Sequence, residues 1–122
     1  MNIIYLIIGL PGSGKSTLLK KIKRAHIVDD IKEINQLPKK DTKRIAITDP
    51  YFCREKVLNQ AIKKLKIFYP NHEIKIIEFE NSMEKAKYNA KKRNSKNVTK
   101  LIKSLSKNYI TKNKRTINIK NV

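Results

Sequence analysis

The chain opens on a segment over residues 2–8 that, from Ile3 on, is a continuous apolar, β-branched run closed by Gly9. Such a run, with no polar alternation, predicts a strand buried on both faces, as in a parallel sheet. The period then changes. Leu18, Leu19, Ile22 and Ala25 fall on one stripe and predict a helix over residues 15–25. His26, Ile27 and Val28 form a short candidate strand ending at Asp29 and Asp30, and Ile31, Ile34 and Leu37 suggest a short helix stopped by Pro38. A polar loop over residues 39–43 leads to a strand over 44–48 that ends at Asp49 and Pro50. Val57, Leu58, Ala61, Ile62, Leu65 and Phe68 mark one face of a helix from about Phe52 to Tyr69, and Pro70 with Asn71 ends it. Residues 73–79 read as a strand. Asn81 followed by Glu84 has the form of a capping box that opens a very basic helix reaching about Arg93. After a break over 94–97, Val98, Leu101, Ile102 and Leu105 mark another helix, and residues 116–119 alternate as a last short strand.

The order is therefore β-α-β-(α)-β-α-β-α-α-β. Strands separated by helices predict parallel pairing, and the expected fold class is α/β: a three-layer sandwich around a mostly parallel sheet of four to five strands. In such sheets ligands bind beyond the carboxyl ends of the strands. Here the ends of the first three strands carry Gly9 to Ser16, Asp29 with Asp30, and Asp49.

With 122 residues and no internal repeat, the chain is read as one domain, residues 1–122. Its single cysteine, Cys53, excludes an internal disulfide and a cysteine-rich metal site. No apolar run reaches the length of about 18 residues that a membrane helix needs. The apolar stretch over residues 3–8 lacks a preceding basic flank and runs straight into glycine, so it does not read as a signal peptide. The expectation is a cytoplasmic protein with no membrane partner.

Charge changes the picture further. Lys and Arg number 29 against 10 Asp and Glu, a formal net charge of +19. A field of that sign attracts polyanions, nucleic acid and nucleotides among them. The same excess, made of 24 Lys and 5 Arg beside 19 Ile and 12 Asn, is also what an AT-rich coding bias produces. The density of basic residues is highest over 85–115, which reads either as a nucleic-acid face or as a basic tail over about 106–122.

Gly9-Leu10-Pro11-Gly12-Ser13-Gly14-Lys15-Ser16 fits G-x-x-x-x-G-K-[ST] at every constrained position, and it lies between a buried strand and an amphipathic helix. Glycines let the backbone curl so that successive N–H groups point inward, and the positive end of the following helix adds to that field. Lys15 would bring a full charge to the β- and γ-phosphates, Ser16 a hydroxyl to Mg2+, and Thr17 completes the candidate nucleotide-binding segment. Asp49, after the strand at 44–48, has the position of an acid that holds Mg2+ through water. The other reading is an aspartate that starts an Asp-Pro turn.

The loop resembles that of the P-loop NTPases. The chain has no N-K-x-D guanine-reading motif. The loop, the aspartate pair after the second strand, and the run from Ile77-Glu78-Phe79-Glu80-Asn81-Ser82 into Lys87-Tyr88-Asn89-Ala90-Lys91-Lys92-Arg93-Asn94 are similar to the 5′-kinase domain of phage polynucleotide kinases and related small phage P-loop kinases. The likeness spans about residues 2 to 110. It implies the P-loop nucleoside triphosphate hydrolase fold, an ATP (or other NTP) and Mg2+ requirement, and transfer of the γ-phosphate to a hydroxyl or phosphate of a nucleic acid, nucleoside or nucleotide. It further implies that Asp29 or Asp30 is the base that activates the acceptor. The same likeness makes the helix over about 82–93 a lid whose Arg93, helped by Lys91 and Lys92, clamps the transferring group. Read without the resemblance, the aspartates also suit a helix cap and the three cations a solvated helix end. The chain departs from the family where Ile31 and Lys32 replace an arginine after the aspartate pair, and in its single lid arginine.

Cys53, His26 and His72 read as structural, and Tyr51, Phe52, Tyr88 and Tyr109 as core packing rather than stacking platforms. The competing functions are a nucleotide-binding regulatory or interaction module and a P-loop ATPase that has only water as acceptor.

Overall fold

A computed structural model describes residues 2–29, 37–92, 98–107 and 109, with Asp29 by its backbone alone. Its central element is β1 (Ile3–Ile8), apolar at every position. β1 pairs in parallel with β3 (Arg44–Thr48) on one side and β4 (Glu73–Glu78) on the other, and β2 (His26–Asp29) pairs in parallel with β3, giving the order β2-β3-β1-β4. The register brings Ile7 opposite Thr48 and Ile77, and Thr48 opposite Asp29, so the strands end nearly level.

The uninterrupted apolar run of β1 is explained by what covers it. Ile4, Leu6 and Ile8, with Ile45 and Ile47 of β3, pack under α2 (Glu55–Phe68), α3 (Met83–Lys92) and α4 (Val98–Ser106). Leu65, Tyr69, Ala86, Ala90, Ile102 and Leu105 complete that layer. Ile7 and Ala46 point the other way, with Phe79, and meet Leu18 and Leu19 of α1 (Lys15–Lys21). Successive side chains of a strand face opposite sides, so both halves of β1 are buried, and each fully buried Ile contributes about 1.5–3 kcal/mol. The α/β class and the parallel sheet follow the sequence expectation, with four strands among the described residues.

Several boundaries differ from the pattern. The first helix ends at Lys21 rather than Ala25. The Ile22 N–H closes a tighter turn on the Leu19 carbonyl at 3.2 Å, and Arg24 takes a left-handed φ of 59°. That reversal still lets Ile22 and Ala25 pack on the α1 side of the sheet. The long helix starts later than Phe52: a 3-10 turn over Pro50–Cys53 comes first, and α2 begins at Glu55 after Arg54 adopts an extended conformation. Residues 30–36, including Asp30 and most of the short helix expected at 31–37, lie outside the described residues, as do Arg93, the break at 94–97 and the strand expected at 116–119. No helix among the described residues is long and apolar enough to cross a membrane.

α1 leaves β1 over one face, and the 3-10 turn with α2 leaves the adjacent β3 over the other. Neighbouring strands whose connections part in this way open a crevice at their carboxyl ends, where ligands of open α/β sheets bind.

Candidate functional site

The segment from Gly9 to Thr17 sits at that crevice, and its glycines answer three distinct steric demands. A Cβ on Gly9 would lie 3.0 Å from the Phe79 Cβ and 3.2 Å from the Ser13 Cβ. Gly12 and Gly14 have φ of +88° and +97°, a region costly to residues with a Cβ. The Ser13 N–H donates to the Leu10 carbonyl at 3.1 Å, which curls the chain back, and the wholly buried Leu10 anchors the bend in the core.

Gly14 is the N-cap of α1 and brings no capping side chain, and no acid stands in the first turn. The amides of a helix's first turn have no intrahelical acceptor. Those of α1 therefore present donors and partial positive charge where Lys15, Ser16 and Thr17 begin the helix. The Lys15 Nζ donates to the Gly9 carbonyl at 2.6 Å, so the ammonium is folded over its own loop. Ser16 and Thr17 are exposed. Ser13 is buried, and its Oγ has no hydrogen-bond partner among the described residues.

Across the crevice, the Thr48 Oγ1 donates to the Ile7 carbonyl at 3.1 Å and ties the end of β3 to β1. Asp49 follows, buried, and its Oδ1 accepts the Tyr51 N–H at 2.9 Å. The turn-capping role open to Asp49 in the sequence is thus realised, at a point beside the loop. Cys53 lies near both: burial pushes its thiol up to about 11, against the opposing pull of the Lys15 charge and a Gly9 backbone hydrogen bond, with Asp49 raising it slightly. Cys53 is buried in the core, as the sequence suggested.

The roof of the loop is α3. Its Ala86, Asn89 and Ala90 are buried, and a Cβ on Gly12 would come within 2.5 Å of the Ala86 carbonyl oxygen. Asn89 Nδ2 donates to the Gly12 carbonyl at 2.9 Å. Behind the loop, a cavity of about 150 Å³ is lined by Ile8, Phe52, Cys53, Leu58, Glu78 and Tyr109 among others. The Tyr109 hydroxyl donates to the Phe79 carbonyl, and burial raises its pKa, with lesser contributions from Cys53 and Glu78.

The structure thus brings Gly9 to Thr17 and Asp49 together at adjacent strand ends. Asp29 ends β2, two strand spacings from β1, or roughly 10 Å. Asp30 and Arg93 lie outside the described residues. Lys91 and Lys92 are exposed in the last turn of α3, and the Lys92 ammonium sits 4.8 Å from the Tyr88 ring centroid. The core role expected for Tyr51 and Tyr88 is corrected: they are 43% and 50% exposed, and Arg54 stacks over Tyr51 at 5.3 Å. Each lies on the solvent side of its element, where the facing core positions are taken by Phe52 and by Ala86 and Ala90. Phe52 and Tyr109 are core residues, as expected. His72 is structural, its Nε2 bonded to the Thr42 carbonyl at 2.6 Å. Asn89 and Glu78 were not singled out by sequence reasoning. For Asn89 a signal existed: an uncharged amide beside the small-residue stripe of a lysine-rich helix.

Among the described residues no group of three or more His, Cys, Asp or Glu forms a preformed metal cage. Mg2+ does not need one, since it is commonly held by one or two protein oxygens together with substrate phosphates. Ser16 and Asp49 are the residues at hand for that task.

Fold and site together define a parallel α/β protein with a glycine-rich strand-to-helix loop at its switch point. No protein-family model matches the chain, and no solved structure matches it. It is 31% identical, over 119 residues, to the uncharacterized protein R277 of Acanthamoeba polyphaga mimivirus, with 87% of this chain and 85% of that protein covered. The chain belongs to the same family as that mimivirus protein.

Proposed function

We propose that the chain is a small P-loop phosphotransferase that binds ATP, or another nucleoside triphosphate, with Mg2+. The observation that carries this reading is the Gly9–Ser16 bend itself: two left-handed glycines and an uncapped helix start stand at the end of the central strand. The orphaned Ser13 Oγ, inside a loop whose natural guest is an anion, fits the same group. Lys15 would move from the Gly9 carbonyl to the terminal phosphates, and Ser16 and Asp49 would hold Mg2+.

Phosphoryl transfer asks chiefly for positioning and charge stabilisation. In the proposed reaction an acceptor hydroxyl forms a bond to the γ-phosphorus as the bond to the β,γ-bridging oxygen breaks. Asp29 or Asp30 takes the hydroxyl proton. The place of Asp29, two strands from β1, leaves room for an acceptor between base and phosphate. Arg93, with Lys91 and Lys92, would neutralise the transferring group. The chain's net charge of +19 favours a polyanionic acceptor over a neutral one.

The test is incubation with γ-labelled ATP, Mg2+ and a panel of 5′-hydroxyl DNA, 5′-hydroxyl RNA, nucleosides and nucleoside monophosphates. Label in an acceptor supports the kinase, and Lys15→Ala is expected to abolish it without loss of fold. Free phosphate alone would reduce the function to ATP hydrolysis, and tight ATP binding with neither product would leave a nucleotide-binding module. An unchanged turnover in folded Lys15→Ala would remove the loop from the mechanism.

A further inference from the structure

The peptide between Gly12 and Ser13 is held at both ends. Its carbonyl accepts from Asn89 Nδ2 of α3 at 2.9 Å, and its N–H donates to the Leu10 carbonyl at 3.1 Å. On its amino side stands Gly12, in the left-handed region and without a Cβ, so the peptide meets little steric resistance to turning at that flank. Turning it would reverse its dipole and re-aim the amides beside it, which are the donors an anion would meet. Two hydrogen bonds oppose that rotation, and one is supplied from a helix 77 positions away in the chain.

Asn89 is well placed for this. It is 2% exposed, and the Ala86 carbonyl stands so close to Gly12 that no side chain fits between helix and loop. A buried amide is tolerated where its hydrogen bonds are made, and here one is made to the loop. The rest of α3 carries its charge elsewhere, with Lys91 and Lys92 exposed.

We propose that Asn89 is a positioning residue of the loop: by gripping the Gly12 carbonyl from α3 it locks the Gly12–Ser13 peptide in the orientation that presents the loop amides to a phosphate chain. The inference rests on the nucleotide-binding reading above. It makes phosphate affinity depend on how α3 is docked, so that the helix and the loop act as one unit.

The experiment compares wild type with Asn89→Leu and Asn89→Asp, both without a donor and differing in charge. ATP and adenosine binding are followed by calorimetry in magnesium buffer, fold is checked by thermal melting, and amide exchange at Ser13 is followed by NMR. Both variants are expected to lose ATP affinity on the order of tenfold, the worth of one hydrogen bond, with adenosine affinity unmoved and Ser13 exchanging faster. Loss in Asn89→Asp alone would assign the effect to charge and overturn the inference. Equal ATP affinity in all three proteins would overturn it while the nucleotide-binding reading stands. No ATP binding by wild type would overturn that reading, and the inference with it. Should neither variant fold, the wild-type protein decides: the Asn89 side-chain amide resonances are expected to shift on ATP addition, and unmoved resonances would overturn the inference.

Discussion

Gly12 and Gly14 share a left-handed backbone but face different surroundings. A Cβ on Gly12 would meet the Ala86 carbonyl oxygen at 2.5 Å, whereas among the described residues one on Gly14 would touch only the Phe79 Cε1 at 3.9 Å. Gly14→Ala is therefore expected to cost about 1–2 kcal/mol, the backbone penalty alone. Gly12→Ala must also push α3 away and is expected to cost more, on the order of 3 kcal/mol. Denaturant melts of the two variants check the order, and equal costs would contradict the described approach of α3. Cys53 offers a second measurement at this scale. Its thiol is pushed from 9.0 to about 11, so the folded state holds the proton more tightly than the unfolded chain does. The resulting stability is complete below about pH 9 and is lost as pH rises towards 11. Melting curves across that window should decline less steeply for Cys53→Ala than for wild type. At pH 8 the native thiol should react with a disulfide reagent at least about tenfold more slowly than an ordinary cysteine, because its thiolate is scarcer and its sulfur is buried.

Elements are joined here by polar side chains that the hydrophobic pattern does not mark. The Asn81 to Glu84 spacing suggests a capping box, but the structure gives the cap to Ser82, whose Oγ accepts the Lys85 N–H at 3.4 Å. Asn81 is taken up elsewhere: its amide donates to the Ser106 and Tyr109 carbonyls at 2.9 and 3.0 Å, and its Oδ1 accepts from the Ser106 hydroxyl at 2.8 Å. Asn81 thus closes the carboxyl end of α4 against the start of α3. Asn81→Ala is expected to speed amide exchange in the last turn of α4. Ser82→Ala is expected to cost about 1 kcal/mol and to fray the first turn of α3. Fraying of α3 in both variants, with α4 protected, would restore the capping-box assignment.

At the scale of the whole molecule, a net charge of +19 on 122 residues repels itself. Few acids offset it, although Lys85 and Glu80 form an ion pair at 2.9 Å. Salt is therefore expected to raise the melting temperature from low to physiological ionic strength, while weakening the binding of any phosphate ligand. A melting temperature that falls over the same range would show that the cations are not the main strain on the fold. Local order can be read along the chain alone: the buried strand before Gly9, the glycine-rich bend, the helix faces and the parallel class. Those are legible because period, β-branching and glycine act through neighbours along the chain. Which distant groups meet emerges on packing and not before: Asn89 on Gly12, Asn81 on α4, Tyr51 and Tyr88 in solvent, and the parting of connections between β1 and β3. These depend on the packing of segments far apart in sequence, where one carbonyl is as good an acceptor as another until the layers stack and leave a single one within reach.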